Sequence, residues 1–246
     1  WGCGTNLHRS PYNARNHEYY SEDAVLTSGQ AVAFISGGKE YGVIIAPKHL
    51  AFNDTEINRT GVSVFMTEQQ ARENELRGTQ AAIEDAGALG VMTAFNRVGI
   101  TAANAHTGLL KNILRGEWGF KGLESQDFIM NPNYAVLKEY ALNGGTMTTF
   151  TGENTMAAVS EKFAYWTTEN VGQDTQLMSA IKQAMTWQAY ALANSNALDG
   201  MASNTRLVSV RTWYDNALVA VQVVFAALTV LAAAMYVLND RKSKKQ

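Results

Sequence analysis

The sequence predicts an α/β fold with a parallel sheet, joined through a polar linker to one C-terminal transmembrane helix. Two observations predict it. From Trp1 to about Asn194, apolar runs of strand length alternate with helix-forming stretches, the order that βαβ units and a parallel sheet require. Ala217–Leu238, ALVAVQVVFAALTVLAAAMYVL, then carries no ionisable group except the Tyr236 phenol. At 1.5 Å per residue that run reaches across roughly 30 Å of hydrocarbon. A core helix is usually shorter and keeps a polar face, whereas this one is apolar all round.

The elements follow in order. Gly42–Ala46 (GVIIA) is the first apolar run of strand length. Thr67, with Gln70 three residues on, has the form of a capping box. The stretch after it, EQQARENELRGTQAAIEDAG, is rich in helix formers and ends at Gly87, where a helix C-cap is expected. Leu89–Phe95 (LGVMTAF) is the second strand candidate, Gly108–Gly116 (GLLKNILRG) another helix, and Gly122–Gln126 a short strand. Thr175–Asn194 reads as a helix with Leu177, Ile181 and Met185 on one face. Ser195–Arg211 is polar and rich in small residues, as a linker is. The chain therefore divides into a domain at 1–195, a linker at 196–216, a transmembrane helix at 217–238 and a basic tail at 239–246.

The 246 residues are 46% hydrophobic and 17% charged, which fits a folded chain and excludes a disordered one. Twenty basic residues against 22 acidic ones give a net charge of −2, with no basic patch, so nucleic acid is not an expected partner. Cys3 is the only cysteine, which rules out an internal disulfide and a cysteine-based metal cluster. No cofactor or metal is implied. Trp213 and Tyr214 precede the apolar helix as an interfacial belt would, and Arg241, Lys242, Lys244 and Lys245 follow it. The positive-inside rule then places the tail in the cytoplasm, with everything upstream outside the cell membrane. The opening WGCGTNLHRS has neither an initiator methionine nor a signal-peptide pattern, so further sequence is expected upstream.

Parallel α/β folds gather their functional side chains where strands end and loops begin. Lys48 and His49 follow GVIIAP and open the polar stretch KHLAFNDTEINR. Phe95, Asn96 and Arg97 follow LGVMTA, and Asp127 ends the run GLESQ. Three strand ends furnished this way point to one shared site.

Four stretches carry a family resemblance. GTNLHRSPYNARNHEYYSED (4–23) resembles the "N-hR-P-x-x-GRNFEYYSEDP" segment of glycoside hydrolase family 3, and KHLAFNDTEINR resembles its "KHFAxNxQExxR". VMTAFNRVG (91–99) resembles "VMTAYNRVNG", and LLKNILRGEWGFKGLESQDF (109–128) resembles "LLxxILRxEWGFxGxVVSDW". ALNGGTM (141–147) resembles a diverged "ALxAGxDxxM". The resemblance covers roughly residues 2–195. It implies the later part of a TIM-like (β/α)8 barrel, since residues 2–195 fall short of the ~250 that a full barrel takes. It also implies reversed domain order, with a sandwich domain and the first barrel strands upstream of Trp1.

The resemblance further implies a retaining exo-β-glycosidase of the β-glucosidase or β-xylosidase type, acting on a β-linked oligosaccharide or glycoside, which the apolar C-terminal helix, outside the resemblance, would anchor in the membrane. Retention needs a nucleophilic carboxylate and an acid/base about 5–5.5 Å apart. Asp127, five residues after Gly122, matches the nucleophile. Lys48, His49 and Arg15 match donors to sugar hydroxyls, while Met92 and Phe95 line the pocket. Glu18, Glu22 and Asp23 are expected to hold their loop together. Asp54, Glu56 and Arg59 either orient Lys48 and His49 or form a surface network. The acid/base is expected from the sandwich domain, outside this chain.

Five positions depart from the pattern. Phe95 stands for a tyrosine, Gln126 for Ser or Thr, Glu124 for an apolar strand residue, Ala14 for glycine and Met147 for aspartate. Two readings stay open, an active glycosidase and a catalytically degenerate, cell-surface carbohydrate-binding protein.

Overall fold

The computed structural model describes residues 1–59, 61–128, 136–149, 166–199, 205–206, 208 and 210–244. They belong to two units, Trp1–Asp199 and Gly200–Gln246. In the first, a loop stiffened by a short 3₁₀ turn leads to α1 (Ala24–Lys39). The Asp23 carboxylate caps this helix by accepting the Leu26 N–H at 2.6 Å. Thr27, Ala31 and Ile35, four residues apart, face the core.

Among the described residues, six strands form two sheets. β1 (Lys48–Leu50), β3 (Gly90–Thr93) and β6 (Leu123–Gln126) pair in the order β1–β3–β6, all parallel. β2 (Ser63–Val64) runs parallel to β4 (Arg97–Val98), which is antiparallel to β5 (Thr101–Ala102). Bridges from Gly4 to Lys48 and from Met147 to Ser125 extend the first sheet at its two edges. The parallel order agrees with the expectation from alternation.

Gly42–Ala46, expected as a strand, does not join the sheet. Gly42 takes a left-handed φ of +69°, and Pro47 has no N–H to donate, so at that residue the chain can only accept from its neighbours. The Ala46 and Pro47 carbonyls accept the Gly2 and Met92 N–H groups at 3.1 and 3.0 Å, and two-way pairing begins at Lys48, whose N–H donates to the Cys3 carbonyl at 2.8 Å and whose carbonyl accepts the Thr5 N–H at 2.7 Å. Lys48 and His49 consequently lie within β1 rather than in the loop beyond it.

Thr67 caps α2 (Glu68–Gln70) through its hydroxyl, which accepts the Gln70 N–H at 3.1 Å. The helix widens into a π-helical turn, Ala71–Glu75, and continues as α3 (Arg77–Glu84). It stops at Gly87, whose φ of +67° suits glycine. A second π-wound helix, Gly108–Glu117, lays Leu109, Leu110 and Leu114 into the core. β6 can begin only because Gly122 has no side chain: a Cβ there would stand 2.3 Å from the Leu89 carbonyl oxygen. Half-buried Arg115 fastens this corner by donating to the carbonyls of Phe120, Gly122 and Gly144 at 2.7–3.1 Å, with its guanidinium 3.8 Å from the Trp187 ring centroid. Burial lowers its pKa to about 10.

α4 (Leu137–Leu142), α5 (Thr168–Gln173) and α6 (Thr175–Ala193) complete the described helices of this unit. On α6 the buried stripe is Leu177, Ala184 and Ala191 rather than Leu177, Ile181 and Met185. Small side chains allow close approach there, and Met185 is exposed. Asn196–Leu198 forms a 3₁₀ turn whose Asn196 bonds to the Tyr41 and Gly42 carbonyls. Residues 200–204, 207 and 209 of the expected linker lie outside the described residues. The second unit contains α7 (Trp213–Ser243), within which Trp213–Asp240 is long and apolar enough to cross a membrane.

Candidate functional site

Asp127 is the first residue past β6, and its N–H still donates to the Thr93 carbonyl at 3.1 Å. The sheet therefore fixes its backbone. One carboxylate oxygen accepts the Phe128 N–H at 2.8 Å, and the other stands 3.4 Å from His49 Nε2. Both side chains are almost closed off, 8% exposed for Asp127 and 2% for His49. Asn6 holds the histidine from the neighbouring edge. Its Oδ1 accepts the His49 N–H at 2.9 Å and its Nδ2 donates to the His49 carbonyl at 3.1 Å.

The cations form one connected series. Lys48 Nζ lies 3.2 Å from Glu18. The same carboxylate receives the Arg15 guanidinium in a two-point fork at 2.7 and 3.0 Å, the strong geometry for this pair. Arg15 also reaches Glu56 at 3.3 Å, and Glu56 holds Arg59 at 2.9 Å. Arg59 in turn lies over the Phe95 ring, 4.4 Å from its centroid. Met92 pairs opposite Lys48 in the ladder and is buried outside the main apolar cluster.

Burial dominates the titration of the central pair. It pushes His49 well below the ordinary imidazole value, and the positive charges of Arg15, Lys48 and Arg59 push the same way, so the ring is neutral. It pushes Asp127 up, against the Phe128 N–H and the charges of Arg59, Arg15 and Lys48. Glu18 goes the other way: its hydrogen bonds to Arg15 and then Lys48 lower it to about 2.

Arg15, Lys48, His49 and Asp127, read from the sequence as one site, thus interact electrostatically, and Phe95 joins them through Arg59. Asp54 does not: it faces Arg9, which also lies 3.5 Å from buried Glu75. Asn53, in the same stretch, is buried, and its carbonyl accepts the Tyr19 hydroxyl at 2.6 Å. Sequence reasoning missed the part Asn6 plays. Its only signal was its place at the head of the first motif, 43 residues before its partner.

The departures have structural counterparts. Ala14 sits at φ +62°, a conformation that suits glycine, immediately before Arg15. Glu124 is wholly buried, accepts the Thr93 hydroxyl at 2.9 Å, and is pushed up to about 7 by burial. Gln126 accepts from Asn104 at 2.5 Å behind the sheet. Chemically, the site offers a shielded carboxylate beside a neutral imidazole and a rim of nitrogen donors, a set suited to a hydroxyl-rich ligand.

Comparison with known proteins follows the same lines. The model of the glycosyl hydrolase family 3 N terminal domain matches residues 5–142. A probable β-glucosidase J from Emericella nidulans is 40% identical over 127 residues, 52% of this chain and 15% of that protein. A β-glucosidase from Rhizobium radiobacter is 40% identical over 123 residues, again 15% of its length. The chain thus matches only a small part of these curated relatives. Among solved structures, β-glucosidase 3B from Thermotoga neapolitana, in complex with α-D-glucose, is 27% identical with a TM-score of 0.69, covering 80% of this chain and 27% of that one. A β-glucosidase from Paenibacillus barengoltzii gives 27% and 0.72, with 84% and 23% covered.

Proposed function

Because this chain belongs to glycosyl hydrolase family 3, we propose that it carries the nucleophile and the sugar-binding side chains of a membrane-anchored, retaining exo-β-glycosidase of the β-glucosidase type. The observation that carries the reading is the Asp127 carboxylate at the end of β6, 3.4 Å from His49 and faced by Arg59, Arg15 and Lys48. In this reading residues 1–195 are the later part of a (β/α)8 barrel, and the remaining strands and the acid/base come from outside the chain. Asp127 attacks the anomeric carbon of a terminal β-linked sugar while the acid protonates the departing oxygen. Water, activated by the same residue acting as base, then hydrolyses the glycosyl ester. Arg15, Lys48 and neutral His49 hold the sugar hydroxyls, and Met92 and Phe95 shape the pocket. α7 anchors the protein in the cell membrane, with the site outside and the basic tail in the cytoplasm.

In the active enzyme, Asp127→Ala is expected to slow hydrolysis of an aryl β-glucoside at least ~10³-fold, about 4 kcal/mol of barrier. Undiminished hydrolysis ends the reading. A second reading, a carbohydrate-binding protein without turnover, is favoured by Phe95 and Gln126 and by the upward push that burial gives Asp127. An adduct on Asp127 with a 2-deoxy-2-fluoro-β-glucoside, found by mass spectrometry, excludes it.

A further inference from the structure

β6 is supported differently on its two sides. Towards β3 it is held by strand pairing, which continues past its end in the bond from the Asp127 N–H to the Thr93 carbonyl at 3.1 Å. On the other side the described residues supply a single bridge, Ser125 to Met147, and the Tyr140 hydroxyl, from α4, is inserted there. It lies 2.7 Å from the Met147 carbonyl and 3.1 Å from the Glu124 carbonyl, two acceptors for its proton. It also accepts the N–H groups of Gln126 at 3.1 Å and Met147 at 3.3 Å. One side chain thus meets four backbone groups on two neighbouring segments. Its ring is buried, and it has room because residue 145 is glycine: a Cβ there would stand 2.3 Å from the ring carbons. The other acceptor for the Gln126 N–H, the Met147 carbonyl, is at 3.3 Å. The Gln126 carbonyl accepts the Ser125 and Thr149 hydroxyls, each at 2.9 Å. Side-chain hydroxyls therefore fasten the residue just before Asp127 on the side away from β3.

We propose that Tyr140 is a positioning residue of this site: its hydroxyl holds the end of β6 and so sets where the Asp127 carboxylate stands when it attacks. This role rests on Asp127 being the nucleophile. Tyr140 touches no substrate and acts through the Gln126 backbone. Arg15, Lys48 and His49 are held by other partners, Glu18, Glu56 and Asn6. Loss of the phenol should therefore leave sugar binding in place and slow the attack, since a reacting group loses rate steeply when it is displaced from its line of approach.

Two measurements test this, and the first needs no turnover. The full chain, in detergent, carries ¹⁵N-glutamine, and the Gln126 amide signal is assigned by its loss in Gln126→Asn. Tyr140→Phe keeps the ring and removes the hydroxyl. Hydrogen exchange at the Gln126 amide is expected to quicken about tenfold, the scale of one net hydrogen bond. Exchange at Gln80, whose N–H is bonded to the Leu76 carbonyl in the helix of α3, should stay within about twofold. An unmoved Gln126 amide overturns the proposal, as does an equal quickening at Gln80, which would mark general loosening. The second measurement is labelling of Asp127 by the fluorosugar in the active enzyme. In Tyr140→Phe the saturating rate is expected to fall about tenfold, with the half-saturating concentration within about twofold. An unchanged rate overturns the proposal even where exchange has quickened. Should Tyr140→Phe fail to fold, the ortho-fluoro analogue of tyrosine at position 140 replaces it. Its more acidic hydroxyl accepts the Gln126 proton less well, and an unmoved Gln126 amide again overturns the proposal. Failure of the glycosidase reading looks different: the parent itself then gives no adduct, and exchange alone decides whether Tyr140 holds the strand end.

Discussion

Two buried carboxylates stand three residues apart on one edge of the sheet, and they live in opposite worlds. Asp127 and Glu124 point to opposite faces of β6 because side chains alternate along a strand. On the Asp127 side the neighbours are a neutral histidine and three cations, which are tied to two shared carboxylates, Glu18 and Glu56. On the Glu124 side they are the Thr93 and Tyr140 hydroxyls, with Arg115 as the one cation acting on it among the described residues. Burial raises both acids, but only the first meets several positive charges that work against it. What distinguishes the proposed nucleophile from the other buried acid is the charge arranged around it, since both are shielded from water.

The strongest way to break this contrast is to neutralise each acid in turn. Asp127→Asn is expected to abolish labelling by the fluorosugar, at least ~10³-fold, while Glu124→Gln leaves labelling within about tenfold of the parent. Equal losses would mean that the two sides of β6 are not functionally distinct. A smaller effect sharpens the contrast through stability. The folded pKa of Glu124, about 7, lies above its ordinary 4.5, so between those values the folded chain holds more protons than the unfolded one. Stability is then greatest below about pH 4.5 and falls as pH rises to 7, by about 3 kcal/mol for this group. Glu75, raised by burial to a similar value, adds to the same slope. Thermal melts of Glu124→Gln should therefore match the parent near pH 4.5 and exceed it near pH 7.5. A parent whose stability rises across that window would contradict the picture. The smallest effect lies on the Asp127 side alone. Ala14→Gly removes the strain of a left-handed alanine next to Arg15, and is expected to stabilise the chain by about 1 kcal/mol without altering its pH dependence. A lower melting temperature would show that φ +62° is not strained there.

Much of the framework was legible because local chemistry and tertiary role agree. The Thr67 cap, the stop at Gly87, the apolar run that becomes β3 and the close-packed Gly122 each carry their own signal. α1 did not. Its buried face is Thr27, Ala31 and Ile35, while Val25, Leu26 and Phe34 are exposed, so apolar residues ring the helix and no period stands out. β1 was misplaced because a run of aliphatic residues outweighed the proline that ends it, after which two-way pairing begins at Lys48. In the candidate site, residue types at the strand ends were readable and their partners were not. Glu18 with Lys48, Asn6 with His49 and Arg59 with Phe95 are separated by 30 or more residues, and only the fold brings them together.

The clamp that Asn6 places on His49 has a consequence for how the site comes apart. One amide side chain both accepts from and donates to the backbone of β1, which is what a neighbouring strand would do. His49 is therefore oriented by a surrogate ladder rung rather than by a flexible loop. The imidazole should keep its bearing through every local opening of the surrounding loops, and lose it only when the sheet itself gives way.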